Sequence, residues 1–415
     1  MTTYNQISQI ERRFGTPFYI FDEKTFRKNC DCLVRAFTSR YPKFILAYSY
    51  KTNYIPYLCK IIKEKGGFAE VVSRLEYDLA LKVGQNPGKI IFNGPVKRYD
   101  DIELALKNKS TLNLDSETEI EYVKKYASKN PKQQIKIGLR INIGLSDKSG
   151  QSRIQGKLPV GRFGFDPAKT SITNVIKSLT KHKNIRINSL HGHTSTTDRS
   201  VWCYKIITET LCDIADRYFP DSIEYINIGG GIFGYMPTKM RWIDTPTFDD
   251  YAKIISSVLN SSVWVRRKKP TLVLEPGVAM AANTLSLVTK VVSIKRIRQQ
   301  VFVTTDGSAF YVKPTFHKIN QPYKIIKKQP RGKIETYNVV GSTCMEKDYL
   351  LTEITDIAAQ KGDYIMINNA GAYTVVLTPP FINPAPPILV RQKNGFKVIR
   401  KRQTLENIFC NYLFE

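Results

Sequence analysis

Several short motifs place reactive residue types directly after apolar, β-type runs. In Ala47-Tyr-Ser-Tyr-Lys51-Thr-Asn53 a lysine ends such a run. An ammonium is expensive to desolvate there unless it is paired or used chemically. A neutral amine at that place suits Schiff-base chemistry. A lysine that only snorkels out of the strand end is the equal alternative. Ser189-Leu-His191-Gly-His193-Thr-Ser-Thr196 sets two imidazoles two residues apart. They suit metal ligation, a ring face with hydroxyls for a phosphate, or a plain hydrogen-bonded strand end. Only four histidines occur in the chain and no H-E-x-x-H pattern adds ligands, so no metal is expected.

Gly229-Gly230-Gly231-Ile-Phe-Gly234 satisfies G-x-G-x-x-G, yet it comes after six strand–helix units instead of opening a βαβ unit. Backbone N–H groups after a strand cradle phosphate without a dinucleotide; a tight turn is the plainer alternative. Glu275-Pro276-Gly277 offers a carboxylate for a cationic ring nitrogen or for a buried ion pair. Gly341-Ser-Thr-Cys344-Met345-Glu-Lys-Asp348 carries a thiol in a polar turn, and Asn369-Ala-Gly-Ala-Tyr373 a tyrosine beside small residues. By themselves these last two signify core and packing as readily as chemistry.

The elements that must position these residues are legible from periodicity. Apolar runs at 44–48, 68–72, 89–92, 111–114, 135–141, 186–190, 223–228 and 271–274 alternate with amphipathic stretches. Ser73-Arg-Leu-Glu76 and Ser116-Glu-Thr-Glu119 read as capping boxes, and Gly66-Gly67 and Gly84 as helix stops. Eight such units imply a (β/α)8 barrel, with an open doubly wound sheet as competitor. Lys51, Glu70, Asn93, Asp115, Arg140, His191, the glycines and Glu275 all follow their runs directly, and a barrel gathers them at one mouth. Beyond 285 the pattern turns to strands at 285–297, 301–305, 336–340, 364–367 and 388–390. The expected division is a barrel over 24–284 and a C-terminal β-rich domain over 285–415. Residues 1–23 join the latter through a strand at 18–21, before a helix at about 23–38.

Composition bounds the class. The 415 residues are 42% hydrophobic with a formal net charge of +27. The basic residues are scattered and no nucleic-acid motif accompanies them, so solvated surface charge and attraction for small anions are expected, not nucleic acid. Seven cysteines at irregular spacing, without a C-x-x-C pair, point to a reducing compartment. The N-terminus lacks a basic and apolar leader, and no segment has the roughly 20 apolar residues of a membrane span. A cytoplasmic protein without a membrane partner is the expectation.

Taken in order, the motifs resemble the fold-type III, alanine-racemase-like decarboxylases that use pyridoxal phosphate (PLP), the relatives of diaminopimelate, ornithine and arginine decarboxylases. The likeness runs from about residue 16 to 380. It implies that Lys51 holds PLP as a Schiff base, that Glu70 lies near the cofactor, and that His193 stacks on its ring. Thr196, Gly229, Gly230, Gly231 and Tyr373 would serve the phosphate; Glu275, in its turn with Gly277, would pair with the ring nitrogen. Cys344 and Asp348 match a turn that relatives supply from a second subunit, which implies a head-to-tail homodimer with shared sites and Cys344 returning a proton to Cα.

The chain departs from the family where the substrate's far end is held. Met345 replaces the acidic residue after the turn cysteine, Val278 replaces an arginine after Glu-Pro-Gly, and Lys313-Pro-Thr-Phe-His317 replaces R-P-x-x-Y. These changes disfavour a plain diamino acid or diaminopimelate. They favour an acylated or citryl-linked diamino acid of siderophore-type secondary metabolism, with Arg162, Lys313 and His317 facing an anionic tail. Diaminopimelate decarboxylation, a PLP racemase and an inactive PLP-binding homologue are the alternatives. Intact Lys51 and glycines speak against the last.

Overall fold

The computed structural model describes residues 3–147, 149–237, 245–329, 332–392 and 395–415. They divide into two compact units. One is built mainly of Lys28–Tyr235 and the stretch ending at Met280, the other mainly of residues up to Arg27 and of Ala281–Glu415.

The chain starts with a helix, Tyr4–Phe14, which the sequence reading did not anticipate. Thr3 and Gln6 form a reciprocal capping box, and Gly15 ends the helix at φ +68°. Strand β1 (Phe18–Phe21) and a helix, Glu23–Thr38, follow as expected.

The first-named unit contains eight parallel strands: β2 (Phe44–Ser49), β3 (Phe68–Val71), β4 (Ile90–Phe92), β5 (Thr111–Leu114), β6 (Ile135–Arg140), β7 (Ile185–His191), β8 (Tyr225–Asn227) and β9 (Thr271–Leu274). They close on themselves through β2 and β9, with Phe44, Ile45 and Leu46 opposite Leu272, Val273 and Leu274. Closure removes the open-sheet alternative. It also explains the near-continuous apolar runs, because each strand is covered by side chains inside and helices outside. Ala47, Ile91 and Val273, with Ile45, Phe68 and Tyr225 against them, fill part of the interior. Polar residues at the strand ends therefore meet above a dry plug.

Helix boundaries follow local chemistry with one correction. The helix Pro56–Glu64 begins with proline in its first turn and ends before Gly66 at φ +76°. Ser73 caps Arg74–Lys82, but Glu76 accepts from Val72 N at 2.8 Å, one residue earlier than a capping box requires. Likewise Ser116 makes no side-chain cap, and Glu119 accepts from Asp115 N at 2.8 Å. Both glutamates are buried, so their carboxylates serve the barrel mouth as well as the helix start.

The other unit holds a nine-stranded sheet. Its strands are β1, β10 (Leu285–Ile297), β11 (Gln300–Thr305), β12 (Tyr323–Ile326), β13 (Ile334–Val340), β14 (Tyr349–Ile357), β15 (Tyr364–Ile367), β16 (Ile388–Gln392) and β17 (Gly395–Arg400). The order along the main path is β14-β13-β11-β10-β1-β16-β17, with β15 on β10 and β12 on β15. Ile7, Ile10, Phe18, Ile20, Val288, Ile326, Tyr364 and Leu389 form its core, so the N-terminal helix packs onto the sheet. The sequence reading missed β12, β14 and β17. Each buries at most part of one face and interleaves charged residues such as Lys324, Glu353 and Lys397, which breaks the apolar run. Among the described residues no helix is long and apolar enough to cross a membrane.

Candidate active site

The barrel mouth is a single hydrogen-bonded network. Lys51 lies in the 3-10 turn directly after β2, and its Nζ donates to Glu70 Oε2 at 2.6 Å. Glu70, in β3, is buried, and its Oε1 accepts from Asn93 Nδ2 at 3.0 Å. The same Nδ2 lies 2.8 Å from Glu275 Oε1, just past β9. Asn227, the last residue of β8, donates to that oxygen at 2.6 Å. His191 Nε2 stands 3.3 Å from Glu275 Oε2 without the alignment of a hydrogen bond. Burial pushes the Glu275 carboxyl up, but His191, Lys51 and Asn227 outweigh it and hold the group well below the usual carboxylate range. Glu275 is therefore an anion.

His193 has the opposite character. Loss of solvent around its ring, with Arg140 and Lys51 nearby, pushes it down to about 3. Its Nδ1 accepts from Gly230 N at 3.3 Å, which leaves the proton of the neutral ring on Nε2. Arg140 sits behind it, donating to His193 O at 3.2 Å and pairing with Asp115 at 3.3 Å. The Arg140 guanidinium stacks 4.4 Å from the Phe163 ring centre, and the exposed Arg162 covers the same ring at 4.0 Å.

The glycines permit this closeness. A Cβ at residue 230 would come within 2.1 Å of Glu275 O, and one at residue 229 within 2.5 Å of the His193 side chain. Gly229 and Gly231 have φ of +70° and +88°. Gly229 N donates to Asn227 Oδ1, and Gly230 N to His193, so two of the three expected phosphate donors already have partners in the protein. Gly231 N, the third, donates to no acceptor among the described residues. Thr196 Oγ1 accepts from Arg199 N at 3.0 Å and keeps its own proton to donate. At residue 277 a Cβ would lie 1.9 Å from Thr52 Oγ1, so glycine lets this turn close on the turn of Lys51.

These residues fit PLP. Lys51 offers an amine for its aldehyde, Glu275 an anion for its ring nitrogen, His193 a neutral ring for its face. Gly231 and Thr196 offer donors for its phosphate. Among the described residues no cluster of three or more His, Cys, Asp or Glu side chains is arranged to hold a metal ion.

The remaining candidates lie in the β-rich unit. Cys344 is exposed on the turn between β13 and β14, with Met345 partly buried beside it. Asp348 is engaged within its own unit. It is buried, and its oxygens accept from Ser308 Oγ, Ala309 N, Thr343 N and Thr343 Oγ1 at 2.6–3.0 Å. All its lone pairs are committed, so it organises the turn that presents Cys344. Lys313 is buried, with no acceptor for its ammonium among the described residues, and burial lowers its pKa. Partial burial and the Lys313 charge lower His317 as well. Tyr373 is partly exposed at φ +53°, after a turn in which Gly371 would bring a Cβ within 1.8 Å of Ala281 O.

Asn93, Asp115, Arg140 and His191 were legible as strand-end residues without roles; Asn113 and Asn227 went unnoticed. The signal available was a polar residue closing an otherwise apolar barrel strand.

Known proteins resemble the chain over most of its length. The model of the family described as "Pyridoxal-dependent decarboxylase, pyridoxal binding domain" matches residues 28–282. The diaminopimelate decarboxylase of Aquifex aeolicus is 24% identical over 97% of this chain and 93% of its own length. The L-glutamyl-(BtrI acyl-carrier protein) decarboxylase of Niallia circulans is 28% identical over 98% of this chain and 96% of its own. Among solved structures, diaminopimelate decarboxylase from M. jannaschii in complex with L-lysine superposes with a TM-score of 0.87 at 22% identity. It covers 98% of this chain and 94% of that one, which shows a common fold.

Proposed function

The chain belongs to the pyridoxal-dependent decarboxylases, and from that premise we propose that it decarboxylates an amino acid whose far end is joined to a larger acyl group. The citryl-linked diamino acid of the siderophore type is the form of this substrate that we favour. As a member of the family the chain is a PLP-dependent carboxy-lyase. When bound, PLP supplies the electron sink for the bond that breaks as CO2 leaves.

The residues then divide the work. Lys51 carries the cofactor and Glu70 orients its Nζ. Glu275, held as an anion, would keep a proton on the cofactor's ring nitrogen and so strengthen the sink. Neutral His193 would cover the ring without adding a competing charge, and Thr196 and Gly231 would take the phosphate. Cys344 Sγ returns a proton to Cα. Its exposed position on a turn braced by Asp348 suits presentation to a second copy of the chain, in a head-to-tail homodimer.

The observation that carries the substrate reading is the occurrence together of Met345, which cannot hold an ammonium, and the buried Lys313, whose ammonium has no acceptor among the described residues and attracts an anion. Lys313, His317 and Arg162 are the proposed contacts of an anionic tail. The relative named for a glutamyl group on a carrier protein supports a linked substrate. The second reading is diaminopimelate decarboxylation, supported by the name of the Aquifex aeolicus relative.

The test is CO2 release by PLP-loaded protein from meso-diaminopimelate, ornithine, lysine, arginine and a citryl-linked diamino acid, with Lys51→Ala as control. Turnover of the linked compound alone is expected. Rapid turnover of meso-diaminopimelate would replace this reading with the second.

A further inference from the structure

Asn93 lies just past β4 and is 3% exposed. Its one amide nitrogen donates at 3.0 Å to Glu70 and at 2.8 Å to Glu275. An amide NH2 carries two protons, so each carboxylate takes one. Charge fixes the orientation, since a flipped amide would set its oxygen against two buried carboxylates. Asn93 Oδ1 then accepts from Asn113 Nδ2 at 2.8 Å. Asn113 in turn must direct its own Oδ1 elsewhere, and that buried oxygen has no donor among the described residues. A Cβ at residue 138 would come within 1.9 Å of it, so Gly138 on β6 makes the room. An unsatisfied acceptor is unfavourable. It is tolerated here because the alternative would turn an oxygen toward the carboxylates.

We propose that Asn93 is a positioning residue that joins the two ends of the cofactor site, holding the carboxylate that orients Lys51 and the carboxylate assigned to the ring nitrogen as one hydrogen-bonded unit. Residues in or just after four strands, β3, β4, β5 and β9, make the unit. Glu70 on β3 fixes Nζ, Asn93 after β4 spans the gap, and Asn113 on β5 locks the amide. The inference rests on the assignment of Lys51 and Glu275 to PLP and is independent of the substrate.

Asn93→Ala, Asn93→Asp and Asn113→Ala test it through three readouts. These are PLP affinity of the apoprotein, the pH midpoint of the bound cofactor's visible absorbance, and thermal unfolding of the apoprotein. Asn93→Ala removes a charge-assisted donor from each carboxylate and is expected to weaken PLP binding about 10-fold or more and to shift the pH midpoint. Asn93→Asp, which adds a third carboxylate, is expected to do more. Asn113→Ala, which touches neither carboxylate, is expected to shift the same midpoint in the same direction by less, and it stays informative if Asn93 variants fail to fold. Unchanged affinity and midpoint in Asn93→Ala, or an unmoved midpoint in Asn113→Ala, would overturn the proposal whatever the thermal stability does. Covalent PLP that persists after Lys51→Ala would overturn the cofactor assignment instead, and the same titrations separate the two failures.

Discussion

Replacing Lys97 by methionine breaks the buried ion pair that anchors the Asn93 loop. Lys97 Nζ lies 2.9 Å from Glu119 Oε1 and donates to Gly94 O at 2.6 Å, with side-chain exposures of 0% and 2% for the ionic partners. Glu119 also accepts from Asp115 N at 2.8 Å and Lys97 N at 3.2 Å, so the pair ties the end of β4 to the end of β5. Burial is the largest influence on both groups, lowering Lys97 and raising Glu119 against their mutual attraction. Desolvation thus exceeds the Coulombic gain, and the intact pair adds little net stability. Breaking it is another matter. Methionine fills similar volume but leaves the carboxylate with backbone donors only and Gly94 O without its ammonium, a loss of about 3–5 kcal/mol. Without the ammonium Glu119 rises further above its unfolded value. The native state then holds an extra proton between the two values, and stability falls as pH rises through that window. Lys97→Met is therefore expected to lose more at pH 8 than at pH 5. The double variant with Glu119→Gln, which removes the charge but keeps an acceptor for Asp115 N and Lys97 N, is expected to return within about 1–2 kcal/mol of the parent protein. Urea unfolding of the apoprotein, followed by circular dichroism at both pH values, measures this. A single variant within about 1 kcal/mol of the parent, or a double variant no better than the single, would refute the reasoning.

Three further outcomes are expected. Gly230→Ala forces a Cβ to within 2.1 Å of the Glu275 backbone carbonyl, which cannot swing aside as a side chain would, and should destabilise by about 2–3 kcal/mol with loss of retained PLP absorbance; unchanged retention would contradict it. The Glu76 carboxyl is pushed up to about 7, chiefly by burial with the Val72 N–H opposing. Its contribution to stability is complete below about pH 4.5 and is lost as pH rises toward 7, so Glu76→Gln, which keeps an acceptor for Val72, should remove up to about 3 kcal/mol of that pH dependence, read by urea unfolding across the range. His193, held at about 3, should show no titration between about pH 5 and 8 in proton NMR; a midpoint near 6.5 would contradict the desolvation of its ring beside Arg140.

The barrel was legible because strand interiors leave a plain record. Runs such as 111–114 and 271–274 coincide with β5 and β9, and the helix at 23–38 has those same bounds. Reactive residues at the ends of those runs were legible for the same reason. Residues whose role depends on a neighbouring strand were not. Asn93 matters because Glu70 and Glu275 flank it in space, although they lie 23 and 182 residues away in sequence. Asp348 stood out only as part of the cysteine turn, because its donors at 308–309 lie 39–40 residues away. The helix Tyr4–Phe14 had its signal in Thr3-Tyr-Asn-Gln6, a capping box that the short strand after it overshadowed. The glutamates at 76 and 119 matched a capping pattern, yet burial redirected each carboxylate by one residue.

Borohydride reduction of the PLP-loaded protein, followed by peptide mass spectrometry, tests the central claim most directly. A phosphopyridoxyl group on the peptide containing Lys51, absent from Lys51→Ala, is the expected result. The group on another lysine, or no attachment in protein that still releases CO2 from an amino acid, would contradict it.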